Sequence, residues 1–531
     1  MKNSETPDSA AQPDRCDGVV GGLAGLALSL ALAALAPAPL SAQPSLATRL
    51  SRLLDEAPLD RNLWGVAVLD ARGRLLFGRN AERLFMPASN AKILVSTVGA
   101  ALFAPEERVR TSLYAAGPVF DGVLQSDLVL YGRGDPTFGA DRCFALDTLT
   151  AGACARDPMA VVARLASGVK GRGIVRIAGD VVGDGSYFEP ATVHPTWEND
   201  DLLWSYGAPV SGLGFAENTI VLTIHPGDTI GAPAVIEVEP SFAEIEIDNR
   251  TTTVSGEPEP VTIERPGPGW RFVVRGAVPS RARPDREALA APDGSLFAAM
   301  ALRRALLDSG VVVEGGARGT ADSLETLAAR ATTPLAEVVS RPMSDWIFAI
   351  LNVSQNWYAE TLLKQLGKRW GAEGSWARGL EIERRFLIDS VGADSTQFLL
   401  HDGSGLSAKN LVTPLTLAKA LAFIRKHPRY PTFEAGLPRG GSQGTLRNRF
   451  EGSDLAGRVR AKTGSIGQVN TLSGFIEQRT DTGRVTRPPS RVFSVQANHH
   501  TLGGRAMVRA IDSLIVEIAR PTPSARRRQD R

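Results

Sequence analysis

The sequence predicts an α/β (α+β) protein: one mixed domain split between the two ends of the chain and interrupted by a β-rich insert. Three observations carry this. Strand and helix signals alternate over residues 43–120 and again over 336–519. Between them, from 121 to 335, short β-branched runs alternate with Gly, Pro and Asp, the texture of strands and turns. The helix expected at 89–103, stopped by Pro105, is apolar nearly all the way round, which places it in the middle of a domain.

The elements follow in chain order. Residues 19–36 are apolar and uncharged, with Arg15 before them and Pro39, Ser41 and Ala42 after, which reads as a secretory signal peptide over 1–42. The acids ahead of the run and Leu40 near the cut depart from the usual pattern, so a retained anchor helix stays open. Cys16 would leave with the signal. Cys143 and Cys154 stay, either as a disulfide in an oxidising compartment or as two free thiols.

Residues 64–70 and 74–79 alternate around Ala71-Arg72-Gly73, a hairpin signal. In the insert, strands are expected at 127–131, 174–182, 219–224, 234–238 and 272–278, with helices near 159–169 and 296–307. Beyond it come helices at 344–353, 358–366 and 415–425, strands at 457–462, 471–477 and 492–497, and an amphipathic helix at 505–519. Residues 520–531 form a basic tail, solvated or in weak contact with an anionic surface. The net charge of +2 gives no reason to expect a nucleic-acid partner.

Ser89-Asn90-Ala91-Lys92 puts Ser and Lys at i and i+3, on one helix face. A serine hydroxyl is a poor nucleophile until a neighbouring base takes its proton, and a lysine is such a base when burial lowers its pKa. The spacing alone is weak. Ser167-Gly168-Val169-Lys170 has it too, on a stretch read as plain surface. Lys462-Thr463-Gly464, followed by Ser465, falls at the end of an expected strand. There the Lys462 ammonium and the Thr463 and Ser465 hydroxyls suit a substrate carboxylate, and Gly464 permits close backbone approach. Ser354-Gln355-Asn356 falls in a break between helices, where Ser354 serves either as a proton relay or as a helix cap.

Together, in this order, the three motifs resemble those of penicillin-binding proteins and serine β-lactamases. The 265 residues between Ser89 and Ser354 leave room for the insert and narrow the resemblance to class C low-molecular-mass penicillin-binding proteins, serine peptidase family S13. Gly134-Asp135-Pro136, Tyr206-Gly207-Ala208-Pro209, Asp402-Gly403-Ser404-Gly405-Leu406-Ser407 and Gly444-Thr445-Leu446 are similar to further stretches of that family.

The resemblance implies a transpeptidase/β-lactamase-like domain, an antiparallel sheet flanked by helices, interrupted by two small β-rich domains. It implies a D-Ala-D-Ala carboxypeptidase/endopeptidase working in the periplasm on peptidoglycan peptides and acylated by β-lactams. No metal or cofactor is needed, and a homodimer is left open. Ser89 would be the nucleophile and Lys92 its base. Ser354 and Asn356 would assist, and Lys462 with Thr463 would bind the carboxylate. The Ser89 and Ser465 N–H groups would form the oxyanion hole. Asp184, in Gly183-Asp184-Gly185-Ser186, matches an insert acid that reaches the substrate amine, or is a turn aspartate. Gln355, Ala408 and Gly467-Gln468 depart from the family pattern, and the last two of these places leave the preferred cross-link residue open. A β-lactamase or esterase, and a non-catalytic envelope-binding protein, are the rival readings.

Overall fold

The structure is a computed structural model that describes residues 44–140, 157–242, 244–479 and 485–520. The expected signal peptide, the tail beyond Arg520, and Cys16, Cys143 and Cys154 lie outside these residues. No helix among the described residues is long and apolar enough to cross a membrane.

Helix α1 (Leu46–Asp55), which the sequence analysis did not anticipate, buries a stripe of Leu46, Leu50 and Leu54 at i, i+4 and i+8. The hairpin forms as expected from β1 (Leu63–Asp70) and β2 (Leu75–Arg79). After it come the buried helix α2 (Ala91–Leu102) and, past the insert, α3 (Met343–Asn352), α4 (Asn356–Gly371) and α5 (Pro414–Lys426). The chain closes with β3 (Val459–Ile466), β4 (Val469–Arg479), β5 (Val485–Asn498) and α6 (Gly504–Ala519).

These strands make one antiparallel sheet in the order β2-β1-β5-β4-β3. Strand β1 pairs with β5 along its length, Leu63 opposite Asn498 and Asp70 opposite Arg491. The two ends of the chain therefore meet in the middle of one sheet, which is what a split domain requires. Alternation along β1 covers both faces. Trp64, Val66 and Val68 pack with α1 and α6, while Ala67 and Leu69 join the core built from α2 to α5.

The insert has its own core and is mainly β-structure. Its five-stranded sheet runs Ala317–Thr320, Val181–Asp184, Leu128–Tyr131, Arg110–Ala115, Ala336–Val339. This sheet takes in residues on both sides of the expected boundaries at 121 and 335, because Arg110–Ala115 pairs with Ala336–Val339. The single strand expected at 174–182 is two, Arg176–Ile177 and Val181–Asp184. They separate at Gly179, where a Cβ would sit 2.2 Å from the Asp127 carboxylate. Glu246–Val254 pairs in parallel with Arg271–Pro279, which no local pattern signals.

Candidate active site

The first motif opens on a strained turn. Ala88 has φ +46°, a left-handed conformation rare for a residue with a side chain. A 3₁₀ turn (Ala88–Asn90) then carries Ser89 into α2, so the helix proper begins two residues later than expected. One turn on, Lys92 is fully buried. Its Nζ lies 3.0 Å from Ser89 Oγ, 2.7 Å from Asn356 Oδ1 and 2.6 Å from the Ser404 carbonyl.

The second motif occupies the break between α3 and α4. Ser354 has φ +65°, and Asn356 starts α4. The Gln355 side chain caps that helix by accepting the Trp357 N–H and donates to Glu217 of the insert. The Asn356 amide nitrogen donates to the Tyr206 carbonyl at 2.9 Å, which leaves its oxygen facing Lys92. Of the insert stretches singled out in the sequence, the one at Tyr206 therefore holds the second motif, and Glu217 holds it as well.

The third motif lies within edge strand β3 rather than at its end, since the ladder with β4 continues to Ile466. Lys462, fully buried, donates to Ser354 Oγ and to the Thr463 carbonyl, both at 2.8 Å. Thr463 Oγ1 donates to Thr445 Oγ1 at 2.9 Å. A Cβ on Gly464 would lie 2.9 Å from the Pro87 carbonyl and 3.0 Å from the Ser89 nitrogen, so only glycine lets β3 come this close to the serine turn. Ser465 is exposed on the cleft side, and Asn470, itself held by His500, donates to its Oγ. Ser89, Ser354, Thr463, Gly464 and Ser465 line one cleft of about 350 Å³. A larger cavity of about 770 Å³ lies in the insert, lined by Met159, Val221 and Phe242, and contains none of the three motifs.

Burial pushes Lys92 down to about 7, against the pull of the Glu360 and Asp402 carboxylates. Burial and the nearby Lys92 together push Lys462 well below the usual lysine range. Glu360, which the sequence analysis did not single out, lies behind Lys92. Its carboxylate accepts the Ser404 N–H at 2.6 Å, the Gly403 N–H at 3.1 Å and the Trp376 indole N–H at 2.8 Å. Burial and Asp402 push Glu360 up to about 7.

Asp184 is not among the residues lining this cleft. It ends a strand of the insert, fully buried, where its carboxylate accepts the Ser186 N–H and the Thr326 hydroxyl and lies 3.5 Å from Arg330 Nε. The other Ser-x-x-Lys is surface, as read: Ser167 bonds the Ala163 carbonyl and Lys170 the Ser309 carbonyl.

A buried amine on a serine hydroxyl, beside a Lys-Thr-Gly edge strand in a helix-flanked antiparallel sheet, places the chain in the penicillin-binding class of active-site-serine proteins. Comparison with known families narrows the class. The D-Ala-D-Ala carboxypeptidase 3 (S13) family matches residues 46–518, and the chain belongs to it, making it a serine peptidase and a hydrolase. A D-alanyl-D-alanine carboxypeptidase from an Actinomadura species is 28% identical over 484 residues, covering 88% of this chain and 83% of that relative. D-alanyl-D-alanine carboxypeptidase DacB of Haemophilus influenzae is 22% identical over 434 residues, covering 80% and 84%. The crystal structure of penicillin binding protein 4 (dacB) from H. influenzae matches the fold with a TM-score of 0.74 at 22% identity, covering 89% of this chain and 99% of that one. A second structure of that protein, complexed with a β-lactam, matches with a TM-score of 0.69 at 21% identity, covering 89% and 100%.

Proposed function

We propose that the chain removes terminal D-alanine from peptidoglycan peptides, and cuts their D-alanyl cross-links, through an acyl-enzyme on Ser89. The observation that supports it best is the set of partners around Lys92 Nζ. Asn356 Oδ1 and the Ser404 carbonyl can only accept hydrogen bonds, whereas Ser89 Oγ carries a proton. A neutral amine donates its two N–H bonds to the first two and turns its lone pair on the Ser89 hydroxyl. With its pKa near 7, Lys92 is both free of its proton in a useful fraction and basic enough to take one.

The Ser89 oxygen then bonds to the D-Ala carbonyl carbon while its proton passes to Lys92. The Ser89 and Ser465 N–H groups receive the oxyanion. Cleavage of the C–N bond expels D-Ala, or a cross-linked strand, as an amine that receives the proton Lys92 took from Ser89, relayed by the Ser354 hydroxyl that Lys462 holds at 2.8 Å, and Lys92 is neutral again. Water then attacks the ester and gives a proton to Lys92, which passes it to the Ser89 oxygen as the C–O bond breaks. Lys462 and Thr463 hold the terminal carboxylate. A β-lactam acylates Ser89 in the same way. Residues 1–42 would export the chain to the periplasm.

The test follows D-alanine release from a muropeptide ending in D-Ala-D-Ala, and loss of cross-linked dimers, with and without Ser89→Ala. The wild type releases D-alanine, and the variant loses at least ~10³-fold in rate. Equal rates would remove Ser89 as nucleophile. Rapid turnover of penicillin with no D-alanine released would favour a β-lactamase.

A further inference from the structure

A second cavity, of about 260 Å³, lies at the seam between the insert and the helical core, at the far end of α2 and α4. Arg369, which lines it, is thirteen residues along α4 from Asn356, roughly 20 Å at 1.5 Å per residue. The cavity is therefore separate from the Ser89 cleft.

Its lining is charged in one sense. Arg108, Arg110, Arg133 and Arg369 line it together with one acid, Glu107, a balance of +3 in a chain whose total is +2. Arg110 has a counter-charge in Glu337 at 3.0 Å, and the same carboxylate faces Arg133 through the Ser112 hydroxyl. Among the described residues no ion pair within 4 Å engages Arg108, Arg133, Arg369 or Glu107. Helix-end electrostatics account for Arg369, in the last turn of α4. They do not account for Arg108, because the carbonyls of Ala101 and Phe103 at the end of α2 are already bonded by Arg429. Nor do they account for Arg133, which belongs to the insert.

Arg133 is also fixed in place. It donates to Ser112 Oγ at 2.8 Å, to Tyr114 Oη at 3.1 Å and to the Arg110 carbonyl at 3.2 Å, and stacks 4.8 Å from the Tyr131 ring centre. Its backbone is held by Gln365 of α4, which donates to the Arg133 and Gly134 carbonyls. The Arg108 guanidinium is tied to the Ser340 carbonyl at 2.6 Å. Tyr187 also lines the cavity, and burial pushes its phenol up, so it stays an O–H donor at neutral pH.

We propose that this cavity is a binding site for a phosphate group, presented as a free phosphate ester or as a phospholipid headgroup. Guanidiniums fit phosphate oxygens two bonds at a time. A phosphate monoester carries about −1.5 to −2 near pH 7, which suits a cluster of arginines, of which Arg108 and Arg369 have no carboxylate partner among the described residues, better than a single carboxylate does. The site joins the insert to the catalytic helices, so its occupant would tie the two together.

The test uses the full chain. Calorimetric titration with inorganic phosphate and glycerol phosphate is compared with glutarate, a dicarboxylate of similar charge. Sedimentation with phosphatidylglycerol vesicles is compared with phosphatidylcholine vesicles. We expect phosphate to bind at least tenfold more tightly than glutarate. Arg133→Gln with Arg369→Gln should weaken binding at least tenfold while D-alanine release without phosphate stays at the wild-type rate. Phosphate binding without vesicle binding identifies a free ester. Vesicle binding lost in the double variant identifies a headgroup. Binding unchanged in the double variant, equal binding of glutarate, or no binding of phosphate or vesicles overturns the proposal. Arg369 is exposed, so Arg369→Gln alone gives the same comparison if the double variant does not fold.

Discussion

Glu360→Gln separates two roles of the carboxylate behind Lys92. One is steric: its hydrogen bonds to Gly403 and Ser404 press the Ser404 carbonyl onto the Lys92 amine. The other is electrostatic, since a negative charge there holds the Lys92 pKa up against burial. Lys92 and Glu360 are linked through one residue and two hydrogen bonds of 2.6 Å, a separation on the order of 7 Å. Unit charges at that distance with an effective dielectric constant of 20 interact by about 2.4 kcal/mol, or about 1.7 pH units. Glu360 is itself pushed up to about 7, so near neutrality it is charged about half the time and the effect falls to about 1 unit.

The charges facing this pair from neighbouring elements stay in place. They are Asp402 in the following loop, Lys462 on β3, Lys364 one turn on in α4, and Glu383, which burial, Glu360 and Asp402 push well up. The assay is kcat/KM for D-alanine release between pH 5 and 9. The acid limb, set by Lys92 losing its proton, should move from about 7 to about 6 in Glu360→Gln, with a lower plateau from the weaker base. Glu360→Asp should keep the limb near 7. A plateau that falls while the limb stays at 7, or a limb that moves up, would refute the electrostatic role and leave only the steric one.

Four further outcomes are expected. Gly405→Ala should cut acylation at least ~10²-fold, because a Cβ there would lie 1.9 Å from the Ala88 carbonyl and push the serine turn aside. Gly392→Ala, with a similar positive φ but nothing within 4 Å, should lower the melting temperature and leave the rate unchanged. Lys92→Met should change stability in a pH-dependent way. Between about pH 7 and 10.5 the unfolded wild type binds more protons than the folded one. Wild-type stability from this group therefore rises with pH, and the variant's advantage shrinks by at most about 1.4 kcal/mol per unit in chemical denaturation. Finally, a substrate carboxylate should push the depressed Lys462 back up. Binding then takes up a proton, seen as buffer-dependent heats, and KM rises with pH; buffer-independent heats would remove Lys462 as the carboxylate's partner.

The sequence displays those parts of the site that depend on local order. Ser89 and Lys92 are one helical turn apart, so their meeting is legible from spacing, and Lys-Thr-Gly announces itself by composition on a strand. What the sequence hides is burial. Glu360 and Lys364 stand at i, i+4, the spacing of an exposed ion pair. Both are instead buried, and Lys364 reaches Glu189 at 3.3 Å while Glu360 turns to the Gly403-Ser404 backbone. The signal available was the neighbourhood: Trp357, Tyr358, Leu362, Leu363 and Leu366 leave α4 no solvent face in its first turns. Asp184 shows the converse limit. Its local string matches a familiar acid, but the direction of its carboxylate is set by Thr326 and Arg330, more than 140 residues away in sequence.

The same distances explain why the chain tolerates a site that opposes its own stability. Ala88 and Ser354 hold left-handed backbone conformations, each at a cost on the order of 1–3 kcal/mol, and two lysines are buried with depressed pKa values. None of this persists unless the surroundings determine it. Ala88 is fixed from one side by Gly405 and from the other by β3 and β4: Asn90 donates to the Lys462 carbonyl of β3 at 3.1 Å, and Thr471 of β4 donates to the Pro87 carbonyl at 3.0 Å. Ser354 is fixed by Lys462 and by the capping Gln355, itself bound to Glu217 of the insert. Strand β3 belongs to a sheet that closes only when the two ends of the chain pair, so the geometry around Ser89 depends on residues near both termini. The insert reaches Ser89 through the second motif, by way of Glu217 and the Tyr206 carbonyl, and that route ties it to the site without placing any of its described side chains in the cleft.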